Sequence, residues 1–117
     1  LFEVAETLQL LGFAELSAGD IRLTDAGVGF AAASGDARKH MFGQRLLERV
    51  GLIGHIVAGI RAQPDEELPL ERVRHMLLPH MPAATAEETL QAAVLWGRYA
   101  ELFSYDDRDG YLSFENL

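Results

Sequence analysis

Gly12–Leu16 reads GFAEL, and Gly97–Asp106 reads GRYAELFSYD. Each stretch follows a segment with helical apolar spacing. Each leads through a Gly-containing turn into a second short apolar run, IRLT at 21–24 and YLSF at 111–114. The doubling predicts a repeated unit made of a helix, a tight Ala-Glu-Leu exit and a two-stranded hairpin.

Working outward from the first copy, Leu1, Val4, Ala5, Leu8 and Leu11 recur at helical spacing, so residues 1–11 read as an amphipathic helix ended by Gly12. Phe13–Ser17 and Ile21–Thr24 then form a hairpin around Ala18-Gly19-Asp20. Thr24 or Asp25 can cap the helix AGVGFAAA, and Ser34-Gly35-Asp36 closes the unit as a loop.

Residues 37–62 read as helix, with Phe42, Leu46, Val50, Ile53, Val57 and Ile60 on one side and a break near Val50, where Gly51 and Gly54 weaken the middle. Gln63-Pro64-Asp65 ends that segment. A short extended piece precedes a helix over about 70–78, which stops at Pro79 and Pro82. Thr85 and Glu88 have capping-box spacing and place the next helix start at Thr85. On that helix Leu90, Val94 and Gly97, with Ala93 and Trp96, face the interior. Leu102–Tyr105 and Tyr111–Phe114 flank the turn Asp106-Asp107-Arg108-Asp109-Gly110.

The predicted fold class is mainly α with two small β-hairpins (α+β). Its organisation is a winged helix-turn-helix-like tandem repeat with the first copy incomplete. Residues 1–36 supply the last helix and wing of a first unit plus the following helix. Residues 37–117 supply a second, more complete unit, packed with the first as one globular domain. The chain opens without Met and within the helical spacing of residues 1–11, which reads as a piece with its upstream portion missing.

The chain has 117 residues, no cysteine and a formal net charge of -8, so disulfide and thiolate chemistry are excluded. No apolar run is long enough to span a bilayer. Nucleic-acid binding draws most of its affinity from neutralising phosphates, and both would-be reading helices are acidic, with Glu3 and Glu6 in one and Glu87 and Glu88 in the other. The sign is uneven. Residues 1–36 hold six acids against Arg22 alone, whereas residues 37–50 hold Arg38, Lys39, Arg45 and Arg49 against Glu48. That basic helix either complements the acidic lobe or offers Arg38, Arg45 and Arg49 to a partner.

The chemical motifs are weak. Asp106–Gly110 lacks the first and twelfth ligands of a calcium loop and suits a solvated turn. His75 and His80 lie five apart across a proline, which does not put them on one helix face. No nucleophile elbow and no phosphate-binding loop occurs, and the sole lysine is Lys39. No catalytic, cofactor-binding or metal-binding residue is expected in this segment. The aromatic block Trp96, Tyr99, Phe103 and Tyr105, with Arg98, reads either as core packing or as a protein interface.

Along LFEVAETLQLLGFAEL, DIRLTDAGVGFA and WGRYAELFSYDDRDGYLSFEN the chain resembles the C-terminal AAA-associated domain. That domain follows the ATPase domain in bacterial ABC-transporter ATP-binding proteins of the nitrate/sulfonate/bicarbonate (taurine-like) group. The resemblance implies a non-catalytic accessory or regulatory domain, with ATP and magnesium confined to an upstream domain. It implies a cytoplasmic location, peripheral to the inner membrane through the transporter and without membrane insertion. The upstream ATPase domain, other transporter subunits and a second copy of the chain are the partners expected, and nucleic acid is not. The alternatives are a winged-helix DNA-binding transcriptional regulator and a small-ligand sensor using a groove between the two units.

Overall fold

The computed structural model describes residues 4–115. Among them lie six helices and two small antiparallel sheets, in two compact units divided between Gly51 and Leu52. Residues 1–3 of the predicted first helix, and the last two residues of the chain, lie outside the described residues.

The first unit runs α1 (Val4–Leu10), β1 (Ala14–Ser17), β2 (Asp20–Leu23), α2 (Asp25–Ala32) and α3 (Gly35–Arg49). The chain leaves α1 through a Schellman turn. Gly12 N–H bonds the Gln9 carbonyl, Phe13 N–H bonds the Leu8 carbonyl, and Gly12 takes φ +77°. β1 and β2 pair with Ser17 opposite Asp20, which leaves Ala18 and Gly19 as a two-residue loop, both at positive φ. Thr24 is the cap of α2. Its hydroxyl accepts from Gly27 N–H at 3.0 Å and donates to the Gly12 carbonyl at 2.6 Å, so one side chain joins the start of α2 to the end of α1.

The predicted loop Ser34-Gly35-Asp36 is shorter than expected. Ser34 is the N-cap residue, and Gly35 and Asp36 form the first turn of α3, where an acid favours the helix dipole. The core of this unit is Leu11, Phe13, Ala14 and Leu46, with Phe13 and Phe30 stacked at 4.4 Å.

The second unit runs α4 (Gly51–Ala62), β3 (Glu67–Pro69), α5 (Leu70–Leu77), α6 (Ala83–Tyr99), β4 (Ser104–Asp106) and β5 (Tyr111–Ser113). The expected break near Val50 is there: Val50 leaves helical geometry at φ -116°, ψ 95°, between α3 and α4. Ile53, Ile56 and Ile60 of α4 are buried, as are Leu68, Val73, Leu90, Phe103 and Leu112 of the same unit. Burial of a side chain of this size is worth about 1.5–3 kcal/mol relative to exposure, so packing holds α4 despite its glycines.

Two expectations fail here for local reasons. The extended piece before α5 is a third strand. β3 pairs with β5, Leu68 opposite Leu112, to give a sheet of order β3-β5-β4 rather than a bare hairpin. Both leucines are buried, and β3 is an edge strand, which tolerates Pro69. The start of α6 is also earlier than the capping box implied. Pro82 takes the N-cap position, its carbonyl accepts from Ala86 N–H, and Thr85 lies inside the first turn. A proline with φ -59° presets the entry without a side-chain cap.

The repeated Ala-Glu-Leu needs a correction. At α6 the Schellman turn is made by Glu101 N–H to the Arg98 carbonyl and Leu102 N–H to the Gly97 carbonyl, with Glu101 at φ +59°. The positive-φ residue is thus Gly12 in one copy and Glu101 in the other. Ala14-Glu15-Leu16 is strand, whereas Ala100-Glu101-Leu102 is the turn itself. The exit recurs, but three residues out of step with the letters.

Candidate functional site

Three arginines of α3 lie against neighbouring elements of the first unit. Arg38 donates to the Ala33 carbonyl at 2.6 Å and the Ala31 carbonyl at 3.3 Å, closing the C-terminus of α2, with its guanidinium 5.6 Å from the centre of the Phe30 ring. Arg45 lies 5.9 Å from the Phe13 ring centre. A Cβ added at Gly12 would stand 3.1 Å from an Arg49 nitrogen and 3.6 Å from an Arg45 nitrogen, so both guanidinia crowd the turn that ends α1. Cations at helix C-termini offset the partial negative charge of unpaired carbonyls. Arg38 thus ties α3 to the end of α2, and Arg45 and Arg49 lie against the turn that ends α1.

The same unit carries an apolar surface that charge and motif reading passed over. Leu16 faces Ile21 across the hairpin and Ala14 faces Leu23, so these four share one side. Leu16, Ile21 and Leu23 are all exposed, Ile21 by 52%, and Val28 of the adjoining α2 is exposed by 56%. The signal that could have found it is the alternation in β2, where Ile21 and Leu23 project to one side and Arg22 to the other.

In the second unit the aromatic block is split by its surroundings. Phe103 is buried at 1% exposure, its ring lying over Gly97. Trp96 is half-buried and Tyr99 is exposed on α6. Arg98 and Tyr105 come together in a groove of about 350 Å³ between α5, α6 and β4, with Leu70, Leu90 and Val94 supplying its apolar wall. At the N-terminal end of α6 the groove is bounded by an ion pair. Arg74 Nε donates to Glu87 Oε2 at 2.8 Å and its Nη2 to Oε1 at 3.2 Å, and Arg74 also bonds Glu71. The Glu87 carboxyl is held below the ordinary range by that hydrogen bonding to Arg74. Arg98, at the other end, has no ion-pair or hydrogen-bond partner for its guanidinium among the described residues.

The Asp106–Gly110 turn uses its first carboxylate internally. Asp106 Oδ1 accepts from Arg108 N–H at 2.9 Å and Asp109 N–H at 3.1 Å, and these bonds lower its pKa. Gly110 at φ +71° turns the chain back into β5. Among the described residues no helix is long and apolar enough to cross a membrane.

These features define a small mixed α/β fold whose exposed apolar groups include Leu16, Ile21 and Leu23 of the first hairpin and Leu95 of α6. The chain belongs to the C-terminal AAA-associated domain family, whose model matches residues 1–106. The match ends where β4 ends. No curated protein and no solved structure matches the chain.

Proposed function

We propose that this chain is a non-catalytic accessory domain of the ATP-binding subunit of an ABC transporter of the nitrate/sulfonate/bicarbonate import type, acting through protein–protein contacts. Family membership supports the accessory role. The observation that carries the contact role is the exposed apolar side of the first hairpin, Leu16, Ile21 and Leu23. Apolar groups gathered on one face, against a chain of net charge -8, suit a protein surface better than solvent or a polyanion. ATP and magnesium belong to the upstream domain in this reading, and the domain sits on the cytoplasmic side as part of the assembled transporter.

The test is a full-length ATPase subunit with and without this segment, assayed for assembly and for coupled transport. Nucleotide binding retained, with altered assembly or altered regulation of the ATPase rate, is the expected result. Unchanged assembly and unchanged coupled transport overturn the reading. Leu16→Ser with Ile21→Ser should reproduce part of the deletion's effect.

One feature supports a different class, a winged-helix DNA-binding regulator. The second unit runs helix, strand, helix, helix, strand, strand, with β3 added to the hairpin, which is the order of winged-helix folds. Glu87 and Glu88 on α6, and Asp106, Asp107 and Asp109 on the wing, oppose it by charge. Titration with duplex DNA at low salt separates the two: salt-sensitive binding supports the regulator, and its absence supports the accessory domain.

A further inference from the structure

The exposed side of α6 sets one large apolar residue between side chains of opposite charge. Ala84, Glu88, Gln91, Leu95 and Arg98 are all exposed, at spacings of four, three, four and three residues. That is the spacing of a single helix face, with Leu95 as its one large apolar member. Leu95 is the most exposed large apolar residue among those described, at 62%. Neither the Glu88 carboxylate nor the Arg98 guanidinium has a partner among the described residues. They stand about 15 Å apart along the helix axis, one toward each end of the stripe.

We propose that α6 is a self-association surface, occupied by α6 of a second copy of this chain running antiparallel to it. The proposal deepens the protein-contact reading above, on which it rests, by naming one partner. The seam is complementary to its own reversal. With the helices antiparallel and centred between Gln91 and Leu95, Glu88 of each copy meets Arg98 of the other. Leu95 of each copy meets Gln91 of the other, beside the apolar groove of Leu70, Leu90 and Val94 that gives it a hole to enter. A parallel arrangement would set Glu88 against Glu88 and Arg98 against Arg98, and like charges in direct apposition cost several kcal/mol. Antiparallel helix dipoles favour the same choice. The contact is isologous, closes at two copies and needs no other chain. A seam with one leucine per copy has little apolar area, so it forms a weak dimer whose population follows protein concentration.

The test is sedimentation equilibrium of the 117-residue chain at increasing concentration, beside three variants at exposed positions. Thermal unfolding of each variant checks that the fold is retained. The parent chain is expected to pass from monomer to dimer, and Leu95→Glu to remain monomeric. Arg98→Glu alone places Glu88 against a glutamate, and Glu88→Arg alone places Arg98 against an arginine. Each is expected to weaken its own dimer about tenfold or more. Mixed together, the two variants restore both pairs and should form the heterodimer with the parent's affinity. A chain that stays monomeric throughout, a dimer unaffected by Leu95→Glu, or single variants that do not recombine when mixed would each overturn the α6 contact. A monomeric chain whose deletion still alters transport would separate failure of this contact from failure of the accessory role.

Discussion

Phe103 rests on Gly97. A Cβ placed at residue 97 would lie 2.0 Å from Phe103 Cζ, so the last turn of α6 and the strand it feeds are in contact only because that side chain is absent. Phe103 is almost fully buried there. The glycine is a packing requirement here, since its backbone is ordinary helix. Gly97→Ala is expected to lower the unfolding free energy by about 1–3 kcal/mol, the usual cost of overpacking. Urea denaturation measures it. Phe103→Leu in the Gly97→Ala background should recover part of the loss although it is destabilising alone. No recovery would place the cause elsewhere.

The first hairpin carries a removable strain. Ala18 has φ +50° and Gly19 has φ +85°, the pair of conformations a two-residue type I′ loop demands. Alanine in left-handed geometry costs about 1–2 kcal/mol, and asparagine tolerates it better. Ala18→Asn, which creates the favoured Asn-Gly pair, is expected to raise stability by a fraction of that. Gly19→Ala should lower it. Paired denaturation curves for the two variants check the opposite signs.

Thr24 serves two elements at once, capping α2 through Gly27 N–H and holding the exit of α1 through the Gly12 carbonyl. Thr24→Ala removes both bonds and is expected to cost about 1–2 kcal/mol. Thr24→Ser keeps the hydroxyl and should sit close to the parent. Amide exchange at Gly27 should rise in the alanine variant and not in the serine one.

Acid should act through Glu87 and Asp106. Both carboxyls are lowered in the folded chain, Glu87 by Arg74 and Asp106 by the Asp109 and Arg108 amides. A lowered folded pKa means that the unfolded chain binds the proton first. Stability from these groups is therefore complete above the ordinary glutamate value of 4.5 and is lost as pH falls through the folded values. Both partners of the Arg74–Glu87 pair keep some exposure, so a double-mutant cycle should return about 1 kcal/mol or less. Glu87→Gln should flatten the acid limb of a stability–pH curve.

Glu67 should act in the opposite direction. Its pKa is raised, first by burial and then by the Asp65 and Glu115 charges. A raised folded pKa means that its favourable contribution is present at low pH and is lost as pH rises through the folded value. Glu67→Gln is therefore expected to raise the melting temperature at neutral pH and to change it little in acid. Thermal melts at the two pH values decide it.

Much of the local structure was legible because it depends on neighbours in the chain. Thr24 ahead of an apolar helix, glycines after Val50, and Asp106 with Gly110 around a turn each act over a few residues. The helix start at Ala83 was missed because Pro82 and Thr85 both offer an entry, and the proline carbonyl makes the first helical bond. The third strand was missed because three residues of Glu-Leu-Pro have no strand signal of their own. Leu68 becomes strand by meeting Leu112, forty-four residues away in sequence.

By itself, then, the sequence determined the helices, the two hairpins and their order, the absence of cysteine and the net charge of -8. Spacing, turn residues and charge are local or additive, so one chain read in order contains them. Tertiary structure decided where side chains spend themselves. It turned Arg38, Arg45 and Arg49 onto helix ends, sank Phe103 onto Gly97, left Leu16, Ile21 and Leu23 uncovered, and shifted the second Ala-Glu-Leu from strand into turn. Those outcomes depend on which surfaces come within a few ångströms of each other, and that is a property of the packed chain.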